Sequence, residues 1–266
     1  MKKKVNSTVL SQEELASDIY SLWIESELAA DVKPGQFVGV YPSDKSTLLP
    51  RPISICEVND ERTALRLVYR TAGKGTREFS HLKKGRNVQL LGVLGNGFPV
   101  DECEGKDVIL IAGGIGVPPM LQLAKELSGF AGEGVRKAKS VTVVLGYRNA
   151  DVFLKEEFEQ YAGVVIATED GSIGTKGNVG DAIREGKITG DIIMSCGPMP
   201  MLRAVKSIAA EMGAKAYISL EERMACGVGA CLGCVCKTTH KDAHSLVNNA
   251  RICTDGPVFD AEEVDI

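Results

Sequence analysis

The sequence lacks several features that would mark particular classes of protein. It has no apolar run of membrane-spanning length and no charged-then-apolar leader at its N-terminus. Its formal net charge is only −4, which argues against a nucleic-acid-binding surface. Internal repeats and low-complexity segments are also missing. Because eight cysteines occur without a secretory leader, we predict a globular protein of a reducing compartment, the cytoplasm.

The first part of the chain has the texture of an antiparallel barrel. The 266 residues suggest two domains, or one domain with an added module. Up to about Gly97, short strand-like runs alternate with turn signals such as Lys33-Pro34-Gly35, and a helix is predicted over Thr76–Leu82. The predicted strands are Val5–Leu10, Asp18–Ile24, Gln36–Val40, Ile53–Val58, Ala64–Tyr69 and Asn87–Leu91.

From Asp107 the pattern changes to buried β-branched runs that alternate with helices, which predicts a doubly wound α/β domain. The predicted strands are Val108–Ile111, Val141–Leu145, Val164–Ala167, Asp191–Ser195 and Ala214–Leu220. The predicted helices are Pro118–Leu127, Lys155–Tyr161, Val179–Glu185 and Met199–Met212. We therefore predict a barrel over residues 1–100, an α/β domain over 101–218 and a cysteine-rich module over 219–266.

The cysteine-rich module has ferredoxin-like spacing. Cys226, Cys231 and Cys234 form a C-x4-C-x2-C pattern, and Cys253 follows downstream. This is the plant-type arrangement for a [2Fe–2S] cluster, which takes four thiolates. The residues between the cysteines are mostly small, so the loop can wrap a bulky cluster closely. The sequence therefore predicts a [2Fe–2S] site with these four ligands.

Two alternatives stay open at this point. A structural zinc site usually shows two separated C-x2-C pairs, which a single compact loop with one distant cysteine fits poorly. Cys236 could replace Cys234 as a ligand, but the spacing favours Cys234. We predict Cys236 to be a small apolar residue on the strand that leaves the loop.

Two stretches in the barrel suggest an anion site. The run Arg51-Pro52-Ile53-Ser54 begins a strand, although an arginine on a barrel rim is ordinary by itself. Gly73, Gly75 and Thr76 follow another strand and open a helix, where free N–H groups and the helix dipole face a ligand. Taken alone, this turn could also be a flexible connection.

Two stretches in the α/β domain suggest a nucleotide site. Gly113, Gly114 and Gly116 follow a buried strand and open a helix, which is where such sheets hold a pyrophosphate. The run is not a G-x-G-x-x-G fingerprint, and Arg148 stands where an acidic residue would select NAD, so NAD and NADP stay open. Cys196 lies with Gly-Pro at the carboxyl end of another strand, where open sheets bind ligands.

Together these stretches resemble the ferredoxin–NADP reductase superfamily, and the cluster motif resembles the electron-transfer subunits of dihydroorotate dehydrogenase B. The resemblance covers essentially the whole chain. It implies that the barrel binds FAD, the α/β domain binds NAD and the cysteines bind iron. The implied FAD contacts are Arg51, Pro52, Ile53, Ser54, Val68, Tyr69, Arg70, Gly75 and Thr76. The implied NAD contacts are Gly113, Gly114, Gly116 and Cys196, and the implied iron ligands are Cys226, Cys231, Cys234 and Cys253.

The resemblance also implies a partner. An NAD-linked oxidoreductase subunit of this kind passes electrons between NAD and an FMN-containing dihydroorotate dehydrogenase catalytic subunit, in a heterotetramer of two of each, during pyrimidine (UMP) biosynthesis. No catalytic acid–base residue is expected in this chain. The alternatives are an NAD(P)H-dependent ferredoxin or sulfide reductase subunit, and a zinc-stabilised nucleotide-binding regulatory module. Reductases of the first kind tend to lack cysteine as first ligand, so Cys226 favours the dihydroorotate interpretation. The long gap between Cys234 and Cys253 implies an extended hairpin through His240–Asn248.

Overall fold

The N-terminal part of the chain is a closed antiparallel barrel. The computed structural model describes residues 2–129, 137–241 and 246–266. The six barrel strands are hydrogen-bonded in the order β1-β2-β5-β4-β3-β6. Their bounds are β1 Lys3–Ala16, β2 Ile19–Glu25, β3 Phe37–Tyr41, β4 Arg51–Val58, β5 Ala64–Arg70 and β6 Asn87–Leu94. A short helix, α1, covers Lys74–Phe79, and a 3₁₀ turn covers Glu27–Asp31.

Closure of the barrel depends on its first strand. β1 pairs with β6 over Lys3–Thr8 and with β2 over Thr8–Ala16. The register shifts between Val9 and Ser11, and a bulge of this kind bends a strand and increases its twist. One strand can therefore turn from one neighbour to the other and complete the cylinder.

The second part is a seven-stranded sheet in the order β10-β9-β8-β7-β11-β12-β15. Its first six strands run parallel and β15 runs antiparallel to β12. The bounds are β7 Asp107–Gly113, β8 Ser140–Tyr147, β9 Gly163–Thr168, β10 Thr175–Lys176, β11 Ile192–Cys196, β12 Lys215–Ser219 and β15 Val258–Asp260. The helices are α2 Pro119–Leu127, α3 Lys155–Glu159, α4 Val179–Glu185 and α5 Met199–Met212. This sheet and the closed barrel confirm the predicted fold class.

The C-terminal part carries the cysteine loop and a two-stranded ribbon, β13 Val235–Lys237 and β14 Asn249–Arg251. The connection predicted through His240–Asn248 includes residues 242–245, which lie outside the described residues. After β14 the chain passes Cys253 and enters the large sheet as β15. The module therefore supplies an edge strand to the α/β domain, and the predicted boundary at 218/219 stays a prediction, as does that at 100/101.

The hydrophobic core crosses between the parts of the molecule. One cluster joins Cys56 and Val68 of the barrel to Leu110 and Met120 of the α/β domain. A second joins barrel, sheet and cysteine module, and includes Phe37, Leu94, Ile111, Cys234 and Cys253. Apolar burial is the main favourable term in folding, so shared cores hold the parts in fixed contact.

A buried ion-pair cluster reinforces the contact between barrel and α/β domain. Arg66 on β5 is only 5% exposed. Its Nη1 lies 2.8 Å from Glu57 Oε1 on β4 and 2.8 Å from Glu157 Oε2 on α3, and its Nε donates to Ser21 Oγ. A guanidinium with several donors can satisfy two carboxylates and a hydroxyl at once. None of the helices in the described part of the chain has the length and apolar character needed to cross a bilayer.

Candidate cofactor sites

The glycine-rich loop of the α/β domain lies at the point where the strand order reverses. From β7 the chain proceeds outward through β8 and β9, whereas β11 and β12 lie on the other side of β7. Ligands bind at such switch points, outside the carboxyl ends of the strands. Gly113, Gly114 and Gly116 follow β7, and Cys196 ends β11 beside Ala112. The structure therefore brings the two predicted NAD-binding stretches together.

The contact between these stretches depends on glycine. A side-chain carbon at Gly116 would collide with the carbonyl group of Cys196, and one at Gly113 would lie 2.7 Å from Met201 Sδ. Cys196 itself is buried, and burial raises the pKa of its thiol, with the charge of Glu221 adding to the effect. The thiol is therefore neutral and packed in the core at the carboxyl end of β11.

On the barrel side, Arg51 crosses the glycine-rich turn. A side-chain carbon at Gly75 would lie 2.8 Å from Arg51 Nε, so the absence of a side chain lets the guanidinium pass. Nη1 of Arg51 donates to the carbonyl of Leu49 at 2.7 Å. Pro52, Ile53 and Ser54 continue β4 beside β3, and all three are half-buried. The two predicted FAD-binding stretches thus lie together on one rim of the barrel.

The hydroxyl of Thr76 serves the helix that it opens. Its Oγ1 accepts from the N–H groups of Ala72 (2.9 Å) and Gly73 (3.1 Å) and lies 3.2 Å from the carbonyl of Gly73. These bonds fix the turn before α1, which is only six residues long. The predicted phosphate contact of Thr76 stays a prediction, and its hydroxyl already has partners within the turn.

The three predicted contacts on β5 differ in accessibility. Val68 and Tyr69 are buried, and the Tyr69 hydroxyl donates to Gln12 Oε1 at 2.9 Å. The phenol ring packs between Tyr20 and Phe79 inside the barrel. The side chain of Tyr69 therefore already has partners within the barrel. These contacts do not support its predicted contact with FAD, which stays a prediction. Arg70 is exposed, and its Nη2 lies 4.0 Å from the position that a side chain on Gly114 would take.

Arg70 therefore connects the two rims. It ends a barrel strand and reaches the nucleotide loop of the α/β domain. A guanidinium is always charged and suits phosphate or carboxylate groups. The predicted FAD-binding and NAD-binding stretches consequently lie next to each other at this point.

The four predicted iron ligands form two pairs. Cys226 and Cys231 lie beside each other, and so do Cys234 and Cys253. The first pair is accessible, since Cys231 is exposed and Cys226 half-buried, whereas Cys234 and Cys253 are 2% and 1% exposed. Within residues 2–129, 137–241 and 246–266, no three His, Cys, Asp or Glu side chains lie together as a candidate metal site. Two pairs suit a [2Fe–2S] cluster, in which each iron takes two thiolates.

Main-chain N–H groups stabilise negative charge on the accessible pair. The N–H of Val228 donates to Cys226 Sγ at 3.4 Å, and that of Gly233 donates to Cys231 Sγ at 3.4 Å. The bond from Val228, with further bonds from Cys231 and Ala230, lowers the pKa of Cys226 to about 6. A thiolate is the form that binds metal, so this loop is prepared for ligation.

In the buried pair, Cys234 and Cys253, the surroundings of Cys253 favour its neutral thiol. Burial raises the pKa of Cys253 to about 11, and its hydrogen bond with Cys234 adds to the shift. This pair packs with Phe37 and Leu94 of the barrel. The cysteine site therefore has an inner side toward the barrel and an outer side toward solvent.

The remaining cysteine of the module, Cys236, lies on β13 opposite Ala250 and is half-buried. Burial raises the pKa of its thiol, with smaller opposing bonds from the main chain. Its place on the strand that leaves the loop agrees with its predicted role. That Cys236 does not bind iron stays a prediction, as do the other residue assignments.

Glu221 is not among the predicted site residues. This residue follows β12 and lines a recess of about 180 Å³ with Met199 and Cys236. Although the residue as a whole is exposed, the surrounding protein raises the pKa of its carboxyl, and Arg70 opposes the shift. An acidic residue at the carboxyl end of the last predicted strand was the available signal.

Two protein families match the chain. The iron–sulfur cluster binding domain of dihydroorotate dehydrogenase B matches residues 221–265, and the oxidoreductase NAD-binding domain matches residues 110–207. The first match confirms the predicted cluster module and argues against the zinc alternative. The second confirms the predicted nicotinamide-nucleotide domain.

Among solved structures, an NADH-dependent reduced ferredoxin–NADP oxidoreductase involved in flavin-based electron bifurcation is similar with a TM-score of 0.83 and 28% identity, over 97% of this chain and 89% of that chain. A ferredoxin–NADP⁺ reductase from Neisseria gonorrhoeae, with bound FAD and NADP, has a TM-score of 0.65 at 16% identity, over 83% of this chain and 94% of that chain. The latter likeness shows the fold alone.

Two relatives are similar over nearly their whole length. The "dihydroorotate dehydrogenase B (NAD(+)), electron transfer subunit" of Listeria monocytogenes serotype 4a is 46% identical over 260 residues, which cover 97% of each chain. The protein of the same name from Bacillus velezensis is 44% identical over 267 residues, which cover 98% of this chain and 99% of the relative. The chain belongs to the family of dihydroorotate dehydrogenase B electron-transfer subunits.

Proposed function

We propose that this chain carries electrons between NAD and the catalytic subunit of a dihydroorotate dehydrogenase B, in pyrimidine biosynthesis, with FAD on its barrel rim and a [2Fe–2S] cluster on its four paired cysteines. The observation that carries the proposal is the two-sided cysteine site. Its buried pair, Cys234 and Cys253, packs against the barrel, and Cys231 of the other pair is exposed. A group held there would have one side toward the barrel and the other toward a partner.

The barrel rim supports FAD binding. The space above Gly75, which a side-chain carbon would fill, is crossed by the guanidinium of Arg51. Arg51 and Arg70 supply positive charge on this rim, which suits a pyrophosphate. FAD, when bound, exchanges two electrons with a nicotinamide and single electrons with an iron–sulfur cluster. The chain's own residues have to orient these groups and exclude water, and no acid–base residue is required.

The outer face of the cysteine module supports docking of the catalytic subunit. Nine large hydrophobic side chains are exposed in the described part of the chain, and five of these lie between residues 228 and 247. Leu232 beside Cys231 is 62% exposed, and Val228 and Val235 are also exposed. Exposed apolar groups around a functional site mark protein–protein contacts. We infer that the catalytic subunit covers this face and meets the cluster through Cys226 and Cys231.

The partner's own chemistry belongs to the proposal. We infer that it is an FMN-containing subunit that oxidises dihydroorotate to orotate, and that two copies of each chain form a heterotetramer. None of the eight cysteines forms a disulfide, which supports a cytoplasmic setting. Co-purification from cells, with the partner identified by mass and the complex weighed in solution, tests this. A complex of one copy each would contradict the heterotetramer, and a ferredoxin as the bound partner would favour the reductase alternative.

An anaerobic absorption spectrum tests the cofactors. We expect a brown-yellow protein that shows flavin and iron–sulfur bands, both of which bleach when NADH is added. Absence of the flavin band, or a flavin band that NADH does not bleach, would contradict the proposal.

Substitution of an exposed cysteine tests whether electrons pass through the cysteine site on their way between the chain and its partner. We expect Cys231→Ser to leave NADH-driven reduction of artificial dyes largely intact and to abolish electron delivery between the chain and its catalytic partner. The matched control is Cys236→Ser, which changes a half-buried cysteine of the same module on β13. Reduction of NAD by dihydroorotate at the normal rate in Cys231→Ser would contradict a relay through this site.

A further inference from the structure

The loop that leaves the last barrel strand lies against the turn that follows Cys253. The N–H of Asn96 donates to the carbonyl of Gly256 at 2.7 Å. On the other side of the loop, Gln36 Nε2 donates to the carbonyl of Gly95 at 2.8 Å. The loop is thus held between the barrel and the cysteine module.

The side chain of Asn96 makes three further bonds to the same turn. Its Nδ2 donates to the carbonyls of Val258 (2.8 Å) and Asp255 (3.1 Å), and its Oδ1 accepts from the N–H of Val258 (3.0 Å). Both N–H donors of the amide and one lone pair of its oxygen are therefore used. All three partners are main-chain groups, so the amide fixes the path of the backbone over residues 255–258.

The turn over residues 251–256 is also stabilised by hydrogen bonds among its own residues. Asp255 accepts from the N–H and the guanidinium of Arg251, and the hydroxyl of Thr254 donates to the same carboxylate. The N–H of Ile252 donates to the carbonyl of Cys234, which ties the two buried cysteines together. A rigid turn moves as a unit, so the bonds from Asn96 set the position of Cys253 relative to the barrel.

We propose that Asn96 is a positioning residue for electron transfer between the barrel and the cysteine module. The inference rests on the proposed function. Among the described residues, Asn96 makes no hydrogen bond to a cysteine or to a predicted FAD contact, and it acts through the turn that carries Cys253. Electron transfer between two centres depends steeply on their separation, so a turn released from the barrel would slow transfer without altering either centre. The same bonds should also help the protein to retain iron, because a mobile Cys253 would release iron more readily.

The test compares two substitutions with a control. Asn96→Ala removes all three side-chain bonds. Asn96→Asp keeps the acceptor for Val258 but directs a carboxylate at two carbonyl oxygens. The control is Asn59→Ala, because Asn59 also uses its amide for several bonds, to Glu61, Thr63 and Ala64, in a barrel turn.

Rapid mixing with NADH without oxygen separates the two steps. We expect bleaching of the flavin band and dye reduction to stay within about twofold of the wild type in both Asn96 variants. Bleaching of the cluster band should slow by clearly more than this twofold margin, because the turn that carries Cys253 is no longer held against the barrel. The low-temperature electron paramagnetic resonance signal of the reduced cluster should broaden, and Asn59→Ala should match the wild type in every measurement.

Hydrogen exchange on the intact holoprotein supplies a readout that needs no turnover. We expect the amide of Val258 to exchange as slowly as those of β12 in the wild type, and roughly tenfold faster in Asn96→Ala. Loss of iron with retained FAD in the Asn96 variants, but not in Asn59→Ala, also supports the proposal.

Three results would overturn it. One is cluster bleaching at the wild-type rate with unchanged iron content in both Asn96 variants. The second is fast hydrogen exchange of the Val258 amide in the wild-type protein. This result would overturn the proposal even if the variants do not fold. The third is equal slowing of flavin and cluster bleaching, which would mean general destabilisation. A wild-type protein that lacks FAD or the cluster would contradict the proposed function itself.

Discussion

At the scale of single residues, two glycines of one turn have different surroundings. A side-chain carbon on Gly75 would meet Arg51 at 2.8 Å, whereas one on Gly73 would have nothing within 4 Å. Gly73 has extended backbone angles that any residue adopts, with φ of −151°. Substitutions at the two glycines therefore distinguish a need for close approach of Arg51 from a need for a flexible turn.

We expect Gly75→Ala to weaken FAD binding by roughly tenfold, since forcing a methyl group into a filled space costs about 1–3 kcal/mol. Gly73→Ala should leave the FAD dissociation constant within about twofold. Fluorescence titration of the flavin-free protein with FAD measures both. Equal weakening by the two substitutions would show that the turn needs flexibility, and not room for Arg51 above Gly75.

The sequence supports residue-level prediction where chemistry limits the choice of side chain. The spacing of Cys226, Cys231 and Cys234 pointed to a metal-binding loop because few arrangements of thiols fit around a cluster. Tyr69 shows the limit. Its place on a strand at the barrel rim was foreseen, but its bond to Gln12 joins positions 57 residues apart and left no local signal.

At the scale of elements, most strands and helices follow from local pattern. Helices α4 and α5 have the predicted bounds, because an apolar stripe and turn residues define them. β1 is longer than predicted, Lys3–Ala16 against Val5–Leu10, since it has to pair with two neighbours. The strand β15 was missed because its three residues are ordered only by pairing with the distant β12.

The contact between β5 and α3 depends on one buried cation. Arg66 pairs with Glu57 and with Glu157, and burial raises the pKa of Glu57 while Arg66 opposes the shift. Without Arg66, the pKa of Glu57 in the folded protein would rise further above its unfolded value. A raised carboxyl pKa contributes stability below the unfolded pKa, and that stability is lost as pH rises through the folded pKa.

We expect Arg66→Met to lower the free energy of unfolding by about 3–5 kcal/mol at neutral pH, because it leaves a buried carboxylate unpaired. The loss should be smaller at about pH 5, where that carboxylate is more readily protonated. Thermal unfolding at the two pH values measures this. Arg62→Met is the control, because Arg62 is 38% exposed and its carboxylate partner, Glu126, is 4.0 Å away. A loss that does not change with pH would contradict the role of Glu57.

At the scale of the whole molecule, the three predicted parts share their cores. Phe37 and Leu94 of the barrel pack in the same cluster as Ile111 of the sheet and Cys253 of the cysteine module. Breaking any one part would therefore expose apolar surface of the others. The sequence could not show this, because core residues in separate segments look alike whichever neighbour they meet.

We expect heat to unfold the protein in one transition. Release of FAD, loss of helical circular dichroism and bleaching of the cluster band should share one midpoint within about 2 °C, as for a cooperative unit. Separate midpoints, with the cysteine module melting first, would show that the shared cores contribute little to cooperativity.

The antiparallel strand β15 has a consequence for the sheet that receives it. It covers the side of β12 that would otherwise present unpaired N–H and C=O groups, with Tyr217, Ile218 and Ser219 opposite Asp260, Phe259 and Val258. An open strand edge is a template for pairing with other chains. A chain that ends before Val258 would therefore offer β12 to a second molecule, and we expect such a truncated protein to self-associate through this edge.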